Sequence, residues 1–238
     1  MYFRQIFLIA SLTALIASVG FSLYQFAFVT PIIIAAEQYE VLSLTDNFTT
    51  EQPEVWAPED GIERAGYTFL ANFLMSLAYS LLLACAMVSR GSSSALKGLF
   101  WGIAAYLSFF VAPSLGLPPE IPGMEVADLN SRQNWWLLTV ILTAAGLAVL
   151  NFSPRYYKGA GLILMLLPHL MGAPTPAIHG FQHPDPNIVS LLIGLWYQFI
   201  LQASIANALL WLIIGITSGF LCHKFIDGNS TLQANFID

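Results

Sequence analysis

Six stretches of this chain contain no Asp, Glu, Lys or Arg: about Gln5–Ala36, Tyr67–Ser89, Leu99–Pro113, Trp135–Phe152, Gly159–Gly172 and Ile188–His223. Most of them reach or approach the roughly 17–25 apolar residues that a helix needs to cross a bilayer. They predict an all-α membrane protein, a bundle of about six transmembrane helices forming one integral domain over residues 1–238. The segments between the runs predict structured outer loops at about 37–66, 114–134 and 173–187, and inner loops at about 90–98 and 153–158. Composition agrees. The chain is 57% hydrophobic and 9% charged, with a mean hydropathy of +0.69, outside the range of an ordinary soluble domain of this size.

Basic residues set the orientation. On a six-helix path Arg4, Arg90, Lys97, Arg155, Lys158 and Lys224 fall on one side, and only Arg64 and Arg132 on the other. Both termini are therefore expected in the cytoplasm. The acids divide the other way: of the 14, all but Asp227 and Asp238 lie outside. A face so negative attracts cations and raises their local concentration.

The first run is much longer than a signal-peptide core and lacks a clear A-x-A site, which predicts an uncleaved helix. Gln25 and Pro31 interrupt its outer half and predict a kink. Asn72, near the outer end of the second run, is of the type that glues helices together. The fifth run is short, about 14 residues or roughly 21 Å of helix, and ends in Pro168-His169. Short or interrupted spans point to binding sites in transporters. The sixth is long, so it either extends beyond the bilayer or breaks near Gly194. Gln198, Gln202 and Asn207 lie along it at spacings that share part of one face.

Between the third and fourth runs lies Leu117-Pro118-Pro119-Glu120-Ile121-Pro122-Gly123, followed by Asp128 and Arg132-Gln133-Asn134-Trp135-Trp136. The prolines fix φ and push their predecessors toward extended geometry, so Glu120 is held on a stiff backbone. Asp128 is a helix N-cap by type. Trp135 and Trp136 stand where an aromatic belt meets the membrane–water boundary. Arg132 is expected to pair with Glu120, Asp128 or Glu63.

Several chemistries are excluded for want of their motifs: C-x-x-C, a nucleotide-binding G-x-x-x-x-G-K, the zinc-protease H-E-x-x-H, and a basic aromatic surface for nucleic acid. Cys85 and Cys222 both fall toward the cytoplasmic side, where a disulfide is disfavoured. No enzyme activity and no tightly bound cofactor is expected. What remains is imidazole and carboxylate on the outer side, a ligand set suited to divalent first-row metals. The candidate metal ligands are Glu120, Asp128 and His169, with Glu37, Glu63, His179 and His183. Asn72, Gln25, Gln198 and Gln202 are candidates for a polar pathway through the bundle.

The loop Leu115-Gly116-Leu117-Pro118-Pro119-Glu120-Ile121-Pro122-Gly123, with Asp128-Leu129 and Arg132-Gln133-Asn134-Trp135-Trp136, resembles the signature of the CbtA family, a predicted cobalt transporter membrane subunit. Ala36 to Glu40, Trp56 to Arg64, Ala71-Asn72 and Leu167 to Pro174 agree in the same order, so the resemblance covers nearly the whole chain. It implies a multi-pass protein of the bacterial inner membrane tied to cobalt supply for cobalamin. It also implies a small one-helix partner, CbtB, beside the lipid bilayer and the possibility of homo-oligomers. The expected function is uptake of a divalent metal, cobalt being the transported ion, captured at an acidic outer vestibule and passed through the bundle. The alternative is a non-transporting scaffold or assembly subunit that binds a small partner.

Overall fold

The computed structural model describes residues 2–45, 56–91, 93–176 and 180–227, and every regular element among them is helical. Helix α1 (Tyr2–Tyr24) runs through a π-helical turn at Gln25–Val29 into α2 (Thr30–Thr45), and α3 (Ile62–Ser89) follows. Next, α4 (Ala95–Tyr106) passes through a second π-helical turn, Leu107–Val111, into the short α5 (Ala112–Ser114). After α6 (Leu129–Phe152), a 3-10 turn at Arg155–Tyr157 leads into α7 (Lys158–Met171). The last helix, α8 (Pro186–Cys222), ends in a π-helical turn at His223–Asp227.

Five helices are long and apolar enough to cross a membrane, spanning Phe3–Tyr39, Ile62–Ser89, Ala95–Ser114, Leu129–Phe152 and Pro186–Ile226. The sixth apolar run is α7, at 14 residues shorter than these. It folds back along α6. Gly161 lies against Gly146 and Leu150, Met165 against Gly146, and the Pro168 carbonyl meets Trp135. These contacts run from Gly161 to Pro168, 7 residues or roughly 10 Å of α7.

The two interrupted helices share a cause. Each π-helical turn ends two residues before a proline, in Phe28-Val29-Thr30-Pro31 and in Phe110-Val111-Ala112-Pro113. A proline ring inside a helix lacks an N–H and collides with the carbonyl four residues back. A widened turn relieves that collision without ending the helix. At Gln25, where the sequence predicts an interruption, the helix carries this turn.

Two sequence expectations change. The outer loop drawn from residue 37 is helical to Thr45, and α3 already begins at Ile62. Charge marks where a helix leaves hydrocarbon, not where it stops. The long sixth run does not break at Gly194, where an added Cβ would meet nothing within 4 Å. Its 37 residues amount to roughly 56 Å, so this run takes the other form expected for it and outreaches the ~30 Å hydrocarbon core.

The chain forms two compact units, each with its own packing. The first draws on residues 1–26, 57–106 and 206–238. There α1 packs against α3, with Ile9, Ala10, Ala14, Ala17 and Phe21 of the first and Leu83, Ala84 and Met87 of the second buried. In the same unit α4 and α8 approach through glycines. A Cβ on Gly98 would lie 2.1 Å from the Gly215 carbonyl oxygen, and one on Gly102 would lie 2.4 Å from that of Trp211. Small residues of this kind let membrane helices pack backbone to backbone.

The second unit draws on residues 27–56 and 107–205. It contains the α6–α7 hairpin and an apolar cluster in which Ala36, Ile121 and Leu192 are buried, with Met124, Phe181, Ile188 and Trp196 around them. Outward-facing leucines and isoleucines such as Leu12, Ile16, Leu70, Leu74, Leu166 and Leu170 remain exposed on the helices. Exposed apolar side chains in such number are a liability in water and are matched by lipid.

Candidate functional site

The loop from Leu115 to Asp128 is pinned at two points. Trp196 of α8 donates its indole N–H to the Pro119 carbonyl at 2.8 Å, and Ile121 is buried beside Leu192. Pro119 and Ile121 thus face α8. Glu120 between them lines a cavity of about 340 Å³ with Phe109, Phe110, Pro113, Leu129 and Trp136. Arg132, one turn into α6, lines the same cavity and donates from Nη2 to Glu120 Oε2. The two side chains are only 27% and 21% exposed. Arg132 Nε is buried without a partner. Burial raises the Glu120 pKa, more than the charge and hydrogen bond of Arg132 lower it.

Asp128 has a different task. It is the N-cap of α6, accepting from the Ser131 backbone N–H at 2.9 Å and from its hydroxyl at 3.0 Å. These bonds favour the charged form and lower its pKa, the backbone bond most. A depressed carboxyl pKa contributes stability above the unfolded value, and that stability is lost as pH falls through the folded one. Asp128→Ala should lower the Tm at neutral pH. Asp128→Asn keeps a capping oxygen and should flatten only the acid limb below the ordinary value of 3.8. Thermal unfolding in detergent from pH 3 to 7 reads both, and coincident curves for all three proteins would refute the assignment.

His169 stands near the end of α7, its ring edge-on to Trp135 with centroids 5.8 Å apart. Trp135 is itself buried, and its indole N–H donates to the Pro168 carbonyl at 3.2 Å, satisfying one of the acceptors that a helix end leaves open. The close fit extends below. A Cβ on Gly116 would stand 2.5 Å from the Trp135 ring.

The other predicted ligands are dispersed. Glu63 accepts from the Glu59 backbone N–H at 3.2 Å, and Asp60 pairs with Arg64 at 3.0 Å, both at the start of α3. Glu37 is half-buried on α2. His183 Nδ1 accepts from the Asp185 backbone N–H at 3.0 Å. His179 lies outside the described residues. Among the described residues, no three His, Cys, Asp or Glu side chains come together as a metal could require. The reason is local: Glu120, Asp128, Glu63 and His183 each have a partner of their own.

Of the pathway residues, two meet. Buried Asn72 donates through Nδ2 to Gln25 Oε1 at 2.6 Å and to Ser22 Oγ at 2.9 Å. Gln198 is exposed on α8 and Gln202 half-buried one turn on. Trp136 lines the cavity against Phe109, ring centroids 6.1 Å apart. The loop clamp of Trp196 and the cavity wall of Phe109 and Phe110 had no sequence signal, being aromatics within apolar runs. Glu125, which accepts from Gln182 at 3.2 Å, joins two loops beside the Met124–Phe181 bridge.

Residues 3–223 match the family model described as "Probable cobalt transporter subunit (CbtA)". No curated protein and no solved structure matches the chain.

Proposed function

The chain belongs to the CbtA family of probable cobalt transporter subunits, and from that premise we propose that it carries a divalent cation, cobalt, inward across a bacterial plasma membrane. The match over residues 3–223 carries this reading. In it α7 counts as a sixth, shortened crossing, supported by its packing back along α6 from Gly146 to the indole of Trp135, and both termini are cytoplasmic. The acidic outer face concentrates cations. Glu120 in its cavity is the acceptor, and Arg132 is the resident cation that an arriving metal displaces. Asp128 and His169 stand behind it as outer donors, and Asn72, Gln25, Gln198 and Gln202 supply oxygens farther in. A divalent ion falling through about 100 mV gains roughly 4.6 kcal/mol, so electrical driving force suffices without a nucleotide site. A small one-helix partner of the CbtB kind completes the complex.

A second reading is the scaffold. It is favoured by the engagement of Glu120 with Arg132 and by the dispersal of the other donors. Uptake of radioactive cobalt by cells expressing the chain, with and without the small partner, separates the two. Transport requires uptake with the partner present, reduced about tenfold or more by Glu120→Gln and less by His169→Ala. No uptake even with the partner supports the scaffold. Uptake untouched by both substitutions removes the proposed site.

A further inference from the structure

Serine and threonine inside an apolar helix usually return their proton to the carbonyl four residues back. Ser11, Thr139 and Ser204 do so here, donating to Phe7, Trp135 and Ile200 at 2.8, 2.8 and 2.6 Å. Ser76 and Ser80 of α3 do not. Both are fully buried, and neither hydroxyl has a hydrogen-bond partner. They follow Asn72 at intervals of four, so all three lie on one face of the helix.

The antiparallel pairing of α3 with α1 says what that face meets. Asn72 bonds Ser22, and Ala84 packs beside Ile9. Between these fixed points Ser76 falls level with Ser18, and Ser80 with Thr13 and Ala14, all of them fully buried. The Thr13 hydroxyl in turn accepts from Ser218 at 3.5 Å. Oxygen-bearing side chains therefore line the seam from Gln25 to Thr13, about 12 residues or roughly 18 Å. That is more than half the thickness of a hydrocarbon core.

An orphaned hydroxyl in such surroundings is costly, and two on successive turns are a demand for a ligand that both donates and accepts. We propose that the α1–α3 seam is a hydrated site, in which water bound at Ser76 and Ser80 continues the Gln25–Asn72–Ser22 group toward Thr13. Buried water bridges otherwise unsatisfied groups in this way. The hydration stands apart from the choice of metal. Only the identity of what travels along it, a divalent cation exchanging water for hydroxyl and amide oxygens, rests on the transport reading.

Cysteine chemistry tests it in the full chain reconstituted in liposomes. Thiols react with methanethiosulfonates as thiolates, which form in water and not in packed hydrocarbon. In a Cys85→Ser background, fully buried Cys222 gives the baseline rate. Ser76→Cys and Ser80→Cys should react with a cationic methanethiosulfonate at least about tenfold faster than Leu74→Cys, which is 55% exposed on the outside of α3. Rates no faster than that of Leu74→Cys overturn the proposal. If neither cysteine variant is recovered, Ser76→Ala and Ser80→Ala decide. Removing a hydroxyl that holds water lowers the Tm, whereas removing an orphan from a dry seam leaves or raises it and overturns the proposal. Cobalt uptake by the labelled proteins is a separate readout. Fast labelling without block keeps the hydrated seam and removes it as the cation's route.

Discussion

Gly98→Leu should yield no stably folded protein. The Cβ of any residue at position 98 would lie 2.1 Å from the Gly215 carbonyl oxygen and 3.0 Å from the Gly219 Cα. A normal contact requires the helices to move apart by more than ~1 Å, and the obstacle is backbone, which no rotamer change relieves. Gly98 is also one of four. Gly102, Gly215 and Gly219 each have a backbone atom within 2.4 Å of an ideal Cβ, so prising apart one pair unseats the rest. Overpacking of this kind costs on the order of 3 kcal/mol or more, a large part of what holds a small domain together. The control is Gly194→Ala, on α8 with nothing within 4 Å, which should be neutral or stabilising by up to ~1 kcal/mol. Size-exclusion profiles and thermal unfolding in detergent compare them. Equal stability of Gly98→Leu and Gly194→Ala would show that α4 and α8 do not meet at their glycines.

Arg132→Gln should destabilise the chain far more than the double variant Arg132→Gln/Glu120→Gln. Removing one member of a buried ion pair strands the other, at ~3–5 kcal/mol for a fully buried pair. Partial exposure of both side chains, 27% and 21%, reduces this to about 2 kcal/mol. The double variant replaces both charges by neutral amides and recovers most of the loss. The pH dependence has a definite sign. Glu120 has a folded pKa above its ordinary value of 4.5, so its contribution is full below that value and declines as pH rises through the raised one. Without Arg132 the folded value climbs further and the decline moves to higher pH. A Tm for Arg132→Gln equal to that of the unaltered chain, with the same pH profile, would mean that the pair is solvated and idle.

Much of this was legible in the residues. The six uncharged runs foretold the helices, because a membrane helix announces itself by length and composition. Asp128 before Leu129 is an N-cap by side-chain type, and it caps α6. Glu120 is one of the three partners that the sequence offers Arg132, and Pro31 marks the interruption at Gln25–Val29. Other features were hidden for physical reasons. Nothing about Trp196 indicates that its N–H reaches Pro119, since 77 positions separate them. The glycines of α4 and α8 read singly as weak helix formers; their meaning lies in being opposite one another. The acids expected on the outer side suggested convergence because charge can be counted along a chain, but whether carboxylates meet depends on the folded path. Here the nearby backbone and Arg132 reach several of them first.

The widened turns before Pro31 and Pro113 have one more result. Each lodges an extra residue in a single coil, so every side chain beyond it is set back by about 100° from the place that an unbroken α-helix would give it. Removing one residue from Gln25–Val29 should restore ordinary winding and keep the far half of the helix in phase, whereas removing one from elsewhere in α1 turns that half by about 100°. Among related chains, single-residue gaps inside a membrane helix should accordingly gather at these two points.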